Sequence, residues 1–524
     1  VTATAVRLWS LGKLLVLVTL AFCASCASLP EHVDRPVTHA QDGSATRLGG
    51  IVSRQLPGDK NLVISGFRLL PTGSDGLDAR LALAGAAERT LDVQYYLISV
   101  DDTGKQFFSA LRDAASRGVR VRLLLDDLYT IGEDDMLAGL ASYPNVEIRL
   151  FNPFTEGRGL MATRMLLSAG ELGRVNRRMH NKLFIADNQM AISGGRNVAN
   201  EYFSRAGNES FVDLDVLSVG PIVASQSGVF DEYWNSSVVY PLFSIISRPA
   251  DGAAARATFD HAVAGSFDSR PIPASDLLGL KPVSEDLKSG DMELHQAIGE
   301  VLADSPEKAA GLNSTSIRGT VTWSVDDEIK SAKESLLFVS PYFIPGKTAM
   351  ASIKAAVERG VQVTVVTNSL GATDVPLVYA GYKKPRYELL KMGVKIYELS
   401  EEVANAHVKL GDFRSQLGRL HAKAVVVDKR HVFIGSMNMD GRSAHENTET
   451  GIILGSQTIG AEVAKLVDLN ISRTCYEVRL DGDQVRWVTN LDGKITVFDE
   501  EQGVSMWTKM EIDVLGPLAP TELL

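Results

Sequence analysis

Cysteine is scarce, with three in 524 residues, too few for a disulfide framework. A basic excess is missing as well. Lys plus Arg total 53 against 64 Asp plus Glu, a net charge of −11. That leaves no overall basic footprint for gripping phosphate backbones, so no nucleic-acid partner is expected. The one early apolar run, Leu14 to Phe22, is nine residues, well short of the ~20 that a helix needs to cross a bilayer. No later segment is long and apolar enough to do so. Disorder is excluded by composition, since 45% hydrophobic and 22% charged residues describe an ordinary folded chain. No Asp, Glu and His cluster has metal-ligand spacing, so neither a metal nor another cofactor is expected. The length suits two or three domains.

What the first residues do contain is an address. Arg7 and Lys13 flank the start of the apolar run, and Cys23-Ala24-Ser25-Cys26 follows it, the order of a secretory signal. The small residues leading into Cys26 resemble a bacterial lipoprotein cleavage site, with Cys26 as the lipidated first residue. That resemblance implies a membrane-anchored protein of the bacterial cell envelope, facing the periplasm. An uncleaved signal anchor or plain secretion is the alternative. Residues 1–25 carry two basic and no acidic side chains, so a chain starting at Cys26 has a net charge of −13. Residues 26–60 read as a polar tether.

One unit is written twice. Leu91-Asp92-Val93-Gln94-Tyr95-Tyr96 reads as a strand, followed by an amphipathic helix and then Arg117-Gly118-Val119 opening a second strand. Leu337 to Tyr342, a helix, and Arg359-Gly360-Val361 repeat the order, the two Arg-Gly-Val triplets lying 242 residues apart. The glycine after each arginine suits a left-handed helix cap, and the β-branched run after it suits a buried strand. Strand, helix and strand of this length imply parallel crossovers and an α/β fold. A period this long means duplicated domains. They are expected over 61–247 and 311–470, with a linker containing some local structure over 248–310. A β-rich C-terminal extension over 471–524 is expected to cover a sheet edge.

The repeat carries its chemistry in one pattern. His180-Asn181-Lys182, Asp187 and Gly194-Gly195-Arg196-Asn197 are matched by His421-Ala422-Lys423, Asp428 and Gly435-Ser436-Met437-Asn438. At average residue usage the pattern arises with a probability on the order of 10⁻⁷ or less per starting position. His and Lys at i and i+2 of a strand point to one face. A turn at Asp187-Asn188 or Asp428-Lys429 brings the second strand back, so His, Lys and Asn converge at the open end of a hairpin. The motif Asp lies at the other end, seven residues or roughly 23 Å away along an extended strand. Asp187 and Asp428 therefore read as turn and core hydrogen-bonding residues. The carboxylate orienting each imidazole is expected from the next strand, and Asp213 and Glu449 are the candidates.

Two imidazoles, two ammoniums and two amides suit a phosphoryl group. The lysines and Asn197, Asn438 and Ser436 neutralise and hold its oxygens. One histidine attacks phosphorus and the other protonates the leaving alcohol. The arginines Arg174, Arg177 and Arg178 before the first motif either bind phosphate or form a solvated turn. Leu160, Met161, Met165, Leu166 and Leu167 form either a lipid-facing lip or ordinary helix core.

The doubled motif resembles that of the phospholipase D superfamily. The strings Leu91–Tyr96, Arg177–Lys182, Asp213–Val216 and Thr367–Leu370 with Asp374 resemble its cardiolipin synthase C group. The resemblance covers roughly residues 65–510. It implies two pseudo-twofold-related α/β/α sandwiches with one active site at their interface. It counts His180, Lys182, Asp187, His421, Lys423 and Asp428 as the catalytic motif residues, with His180 as nucleophile and His421 as acid. Gly195 departs from the serine matched by Ser436. The implied activity is transfer of a phosphatidyl group, from phosphatidylethanolamine or phosphatidylglycerol, to phosphatidylglycerol. Phospholipid hydrolysis is the alternative, and a nuclease is a third reading that the acidic balance disfavours. Phospholipids in a membrane are the expected partners.

Overall fold

A computed structural model describes residues 29–56, 64–206, 210–265, 267, 272–311, 316–404, 418–491 and 493–515. The first half contains β1 (Ser65–Leu70), β2 (Thr90–Tyr95), β3 (Arg120–Asp126), β4 (Val146–Phe151), β5 (Leu183–Ala186), β6 (Met190–Gly194), β7 (Phe211–Val212), β8 (Asp215–Val219) and β9 (Val239–Pro241). β10 (His295–Ala303) leads into β11 (Ser335–Val339), β12 (Gln362–Asn368), β13 (Lys395–Leu399), β14 (Arg419–Leu420), β15 (Ala424–Val427), β16 (His431–Gly435) and β17 (Thr450–Gly455). A meander of β18 (Cys475–Asp481), β19 (Gln484–Leu491) and β20 (Lys494–Phe498) follows.

Pairing runs β9-β4-β3-β2-β5-β6-β8-β1 in the first half, then crosses through β10 to β17-β16-β15-β11-β12-β13-β18-β19-β20. Counted inward from β4 and from β13, the two series match strand for strand. The β2-β3-β4 and β11-β12-β13 ladders are parallel and the rest of this sheet is antiparallel. Asp101 caps the helix Asp102–Ser116 by accepting from the Gly104 N–H at 2.9 Å. Gly118 (φ 93°) and Gly360 (φ 90°) stop the two crossover helices in the left-handed region, where a side chain would be strained.

Alternation along each strand divides the core. Leu91, Val93, Val121 and Leu123 face the helices Gly73–Ala86 and Asp102–Ser116. Leu69, Leu124 and Ile185 face inward and share one apolar cluster with Ala424, Val426, Ile434 and Val463 of the second half. The second half has its own outer cluster around Phe338, Val365 and Ile396. The halves are thus α/β sandwiches fused through a common centre.

Three expected boundaries change. The 26–60 segment, where described, is not a free tether. Arg35 donates to the Val239 carbonyl at 2.8 Å, Arg149 donates to Pro36 O at 2.7 Å, and Leu48 and Ile51 are buried. Its polar composition serves the body, because its carbonyls satisfy guanidiniums on the buried strands β3 and β4. The 248–310 segment is more than a linker. β10 pairs through Ser65↔Ala297 with β1 and through Ile298↔Gly455 with β17, joining both halves into one 18-stranded sheet. The helix Gln457–Thr474 moves the last boundary from 470 to 474, and the described part of the extension includes a helix, Met506–Leu515. β18 closes the β13 edge. Cys26 and the rest of the expected signal lie outside the described residues.

Candidate active site

Each motif begins just before a short buried strand. β5–β6 and β15–β16 are hairpins closed by Asp187-Asn188 (φ 51° and 52°) and Asp428-Lys429 (φ 51° and 53°), the left-handed pair of a type I′ turn. His180 and Lys182, and His421 and Lys423, stand at the opposite, open ends.

The open ends meet because the halves are stitched across their interface twice. The His180 N–H donates to Thr448 O at 2.9 Å and the Thr448 N–H to Arg178 O at 2.9 Å. In the mirrored position β7 pairs with β14, and the His421 N–H donates to Val212 O at 2.8 Å. Each stitch sets a carboxylate beside the other half's imidazole. Nδ1 of His180 lies 3.0 Å from Glu449, and Nδ1 of His421 lies 2.6 Å from Asp213. The carboxylates do come from the strand ends that Asp213 and Glu449 occupy, but each serves the partner half. With Nδ1–H committed to a carboxylate, Nε2 is the nitrogen left for chemistry.

Glu449 is itself fixed. Ser436 donates to it at 2.5 Å, Ser443 donates at 2.8 Å, and its N–H donates to Asp304 at 2.9 Å. Asp304 is ion-paired with Lys308 at 2.6 Å. The lysine Nζ atoms turn back to the carbonyls of their own motif histidines. Tyr96 stands edge-on to His180 at 5.1 Å, and Tyr202 to His421 at 5.0 Å. Both histidines are only 7% exposed.

Burial governs the charges. It pushes His180 down to about 4, with the nearby Lys182 ammonium adding to the effect and Glu449 opposing it. His421 is lowered by burial and by Lys423. Burial also pushes Lys182 down to about 7 and Lys423 to about 8, against the pull of both carboxylates. Burial acts to raise Asp213 and Glu449, but His421 and Lys423, and His180 and Lys182, outweigh it and hold both below their ordinary values. Both imidazoles are thus biased toward the free base, and with two carboxylates and two lysine amines pushed toward neutrality they form one water-poor centre, a setting for an anionic phosphoryl group. Among the described residues no three His, Cys, Asp or Glu side chains are grouped as metal ligands.

The family described as "Cardiolipin synthase, PLD-like domain" matches residues 81–234 and 325–470, which contain the two motifs. The chain belongs to the phospholipase D superfamily. It is 36% identical to cardiolipin synthase C of Escherichia coli strain K12 over 86% of this chain and 94% of that protein. An uncharacterized protein of Helicobacter pylori strain 26695 is 30% identical over 80% of this chain and 82% of its own length. Phosphatidylserine synthase of Haemophilus influenzae has the same fold, with a TM-score of 0.57 at 14% identity, covering 87% of this chain and 95% of that one.

Not every residue of the superfamily pattern enters the centre. Asp187, counted with the catalytic residues by the resemblance, instead accepts from the N–H groups of Arg89 at 2.7 Å and Thr90 at 2.9 Å. Asp428 does the same for Glu334 at 2.7 Å and Ser335 at 2.9 Å. Both anchor the first strand of a parallel ladder to the turn end of the hairpin. Asn197 donates to the Tyr202 hydroxyl at 2.8 Å, beside His421. Asn438 Oδ1 is buried without a partner. Gly195 has a steric cause, since a Cβ there would lie 2.1 Å from Asp213 Oδ1. Where Ser436 supports Glu449, the shorter Asp213 occupies the space itself.

The arginines before the first motif are structural. Arg178 is buried against Asp126 at 3.1 Å, Arg174 pairs with Glu171 at 2.6 Å, and Arg177 with Glu446 at 3.3 Å. The helix Met161–Leu167 is a surface element, with Leu160 59% and Leu166 60% exposed. Asp126 and Asn368 escaped the sequence reading as site supports. Asp126 accepts from the Met179 N–H, and Asn368 from the Leu420 N–H, both at 2.8 Å, fixing the residue before each histidine. Their equal 242-residue spacing is the signal that could have found them.

Proposed function

We propose that the protein is a phosphatidyltransferase that makes cardiolipin. His180 Nε2 attacks the phosphorus of phosphatidylethanolamine or phosphatidylglycerol. The bond to the headgroup oxygen breaks, and His421 gives that oxygen its proton, releasing ethanolamine or glycerol. The phosphatidyl group is left on His180. A glycerol hydroxyl of phosphatidylglycerol then gives its proton to His421 and attacks phosphorus, and the phosphorus–nitrogen bond breaks. Lys182 and Lys423 offset charge on the equatorial oxygens throughout.

The crossed pairs, His180 with Glu449 and His421 with Asp213, carry this reading. They put two carboxylate-held imidazoles in a single centre that neither half completes, which supports one acting as nucleophile and the other as acid. The near-closure of that centre by Tyr96 and Tyr202 favours a lipid alcohol over water as acceptor. Similarity to cardiolipin synthase C supports the same substrate class.

The reading includes an envelope location with Cys26 as lipid anchor. Arg35, which bonds to the body, lies nine positions after Cys26, so full extension between them reaches at most ~32 Å. The deciding experiment supplies vesicles of phosphatidylethanolamine and phosphatidylglycerol and follows products by mass spectrometry. Cardiolipin with free ethanolamine or with free glycerol supports transfer and identifies the donor. Phosphatidic acid as dominant product at every acceptor level overturns transfer and leaves a phospholipase D.

A further inference from the structure

The second half has an apolar recess of about 790 Å³ against the back of its motif, within the ~300–1,000 Å³ of small-molecule sites. Its walls include Ile329 of the helix Val321–Ser331, Ile344 after β11, Met350 of the helix Lys347–Glu358 and Ala380 of the helix Pro376–Lys391. Met437 and Met439 contribute the floor. These walls and floor are aliphatic or thioether, which suits a flexible hydrocarbon, while Asp326, Glu388, Asp440 and His445 add polar groups to the lining. Exposed Lys347 and Lys384 stand beside it.

The floor continues the catalytic motif. Ser436, the residue before Met437, donates to the carboxylate that holds His180. Asn438, the residue after it, lines the recess, is 8% exposed, and has a buried amide oxygen without a partner. Polar centre and apolar recess therefore share the Ser436–Asn438 segment. In the first half the counterpart of Met437 is Arg196. Its buried guanidinium donates to Leu70 O at 2.9 Å and Pro71 O at 3.2 Å, so a charged side chain bonded to backbone carbonyls takes that place.

We propose that this recess is an acyl-chain subsite, holding one hydrocarbon tail of the phosphatidyl group while its phosphate occupies the centre. The inference rests on the proposed phosphatidyl transfer for the identity of the lipid. It makes the second half the side toward which the diacylglycerol arm leaves the centre. Each methylene of tail that the recess takes from water strengthens binding roughly three- to fourfold, so discrimination by chain length follows.

The test uses the full chain and two readouts. Ala380→Trp fills the recess without touching the histidines or lysines. KM for dioleoyl phosphatidylglycerol should rise at least tenfold, while kcat/KM for the dihexanoyl lipid stays within twofold. Equal effects on both lipids would overturn the subsite. The unsubstituted protein is also irradiated with phosphatidylglycerol carrying a diazirine at its acyl terminus, and labelled peptides are mapped. Label on 344–350, 380–388 or 437–445 supports the subsite, even if Ala380→Trp fails to fold. Label confined to the exposed apolar residues Leu160, Leu166, Met506 or Trp507 overturns it. Recess labelling with no lipid product from the active-site assay would reject phosphatidyl transfer but keep the subsite.

Discussion

Glu449 of the second half holds Nδ1 of His180 in the first at 3.0 Å, and Asp213 returns the contact to His421 at 2.6 Å. Each histidine is oriented by a residue from the opposite half, so the centre exists only when both halves are docked. His180→Asn and His421→Asn should each abolish turnover, and the double variant should be no worse than either. Half of the activity surviving in a single variant would mean two independent centres. Glu449→Gln should lower kcat on the order of 10²–10⁴-fold, the usual worth of positioned acid–base groups, measured by product formation under saturating lipid.

At Gly195 the first motif departs from the second, which has Ser436 there. A Cβ on residue 195 would stand only 2.1 Å from Asp213 Oδ1, so Gly195→Ser must displace the carboxylate that orients His421. Activity should fall at least tenfold, although the substitution makes the first motif more like the second. Unchanged activity in Gly195→Ser would show that Asp213 has room to relocate without releasing His421.

The far end of the hairpin predicts the opposite balance. Asp428 accepts three backbone N–H groups, from Lys333, Glu334 and Ser335, and burial, which would raise it, is outweighed by those bonds. Asp428→Asn keeps the size but loses the charge and one accepting oxygen. Denaturant titration should show a loss of about 1–3 kcal/mol, while turnover per folded molecule stays within threefold. A fully stable but inactive variant would contradict this geometry.

These residues also mark where sequence reading stops. The position of Asp187 and Asp428 follows from counting along a hairpin, because strand rise and turn length are local properties. The partner of an imidazole across an interface is not local. Asp213 and Glu449 could be named from their position on the next strand, yet nothing in the spacing says that each crosses to the other half. The same limit hid β10. Its exposed Gln296, Ile298 and Glu300 share one face, but with Ile298 outside and Gly299 opposite, the apolar–polar alternation that signals a half-buried strand is lost, and it is held mainly by its ladders to β1 and β17. Segment 29–56 looked like a tether because its contribution is largely backbone carbonyls, which have no sequence signature.

Acid should destabilise the protein through the centre itself. Burial holds His180 at about 4, below its ordinary 6.5. Between these values the unfolded chain binds the proton and the folded one does not, so stability rises as pH rises across that window and falls as pH drops from 6.5 toward 4. His421, also lowered, adds in the same direction. Thermal unfolding at pH 4.5 and pH 7 should therefore differ less in His180→Asn than in the unsubstituted protein. An unchanged difference would mean that other groups carry the acid sensitivity.

The assignment of nucleophile and acid can be separated by choosing the leaving group. His180 is the imidazole pushed down to about 4 by burial and is a free base at neutral pH, as attack on phosphorus requires. In the proposed reaction His421 protonates an ordinary headgroup oxygen and accepts the proton of the incoming alcohol. A phosphatidyl ester of p-nitrophenol has a leaving group that departs without protonation. His421→Asn should then release one nitrophenolate per molecule and stall, because the second step still lacks its base. Digestion of the stalled protein should recover the phosphatidyl group on His180. His180→Asn should give no burst with the same ester. A burst in His180→Asn, with the adduct on His421, would reverse the two roles while leaving the single crossed centre intact.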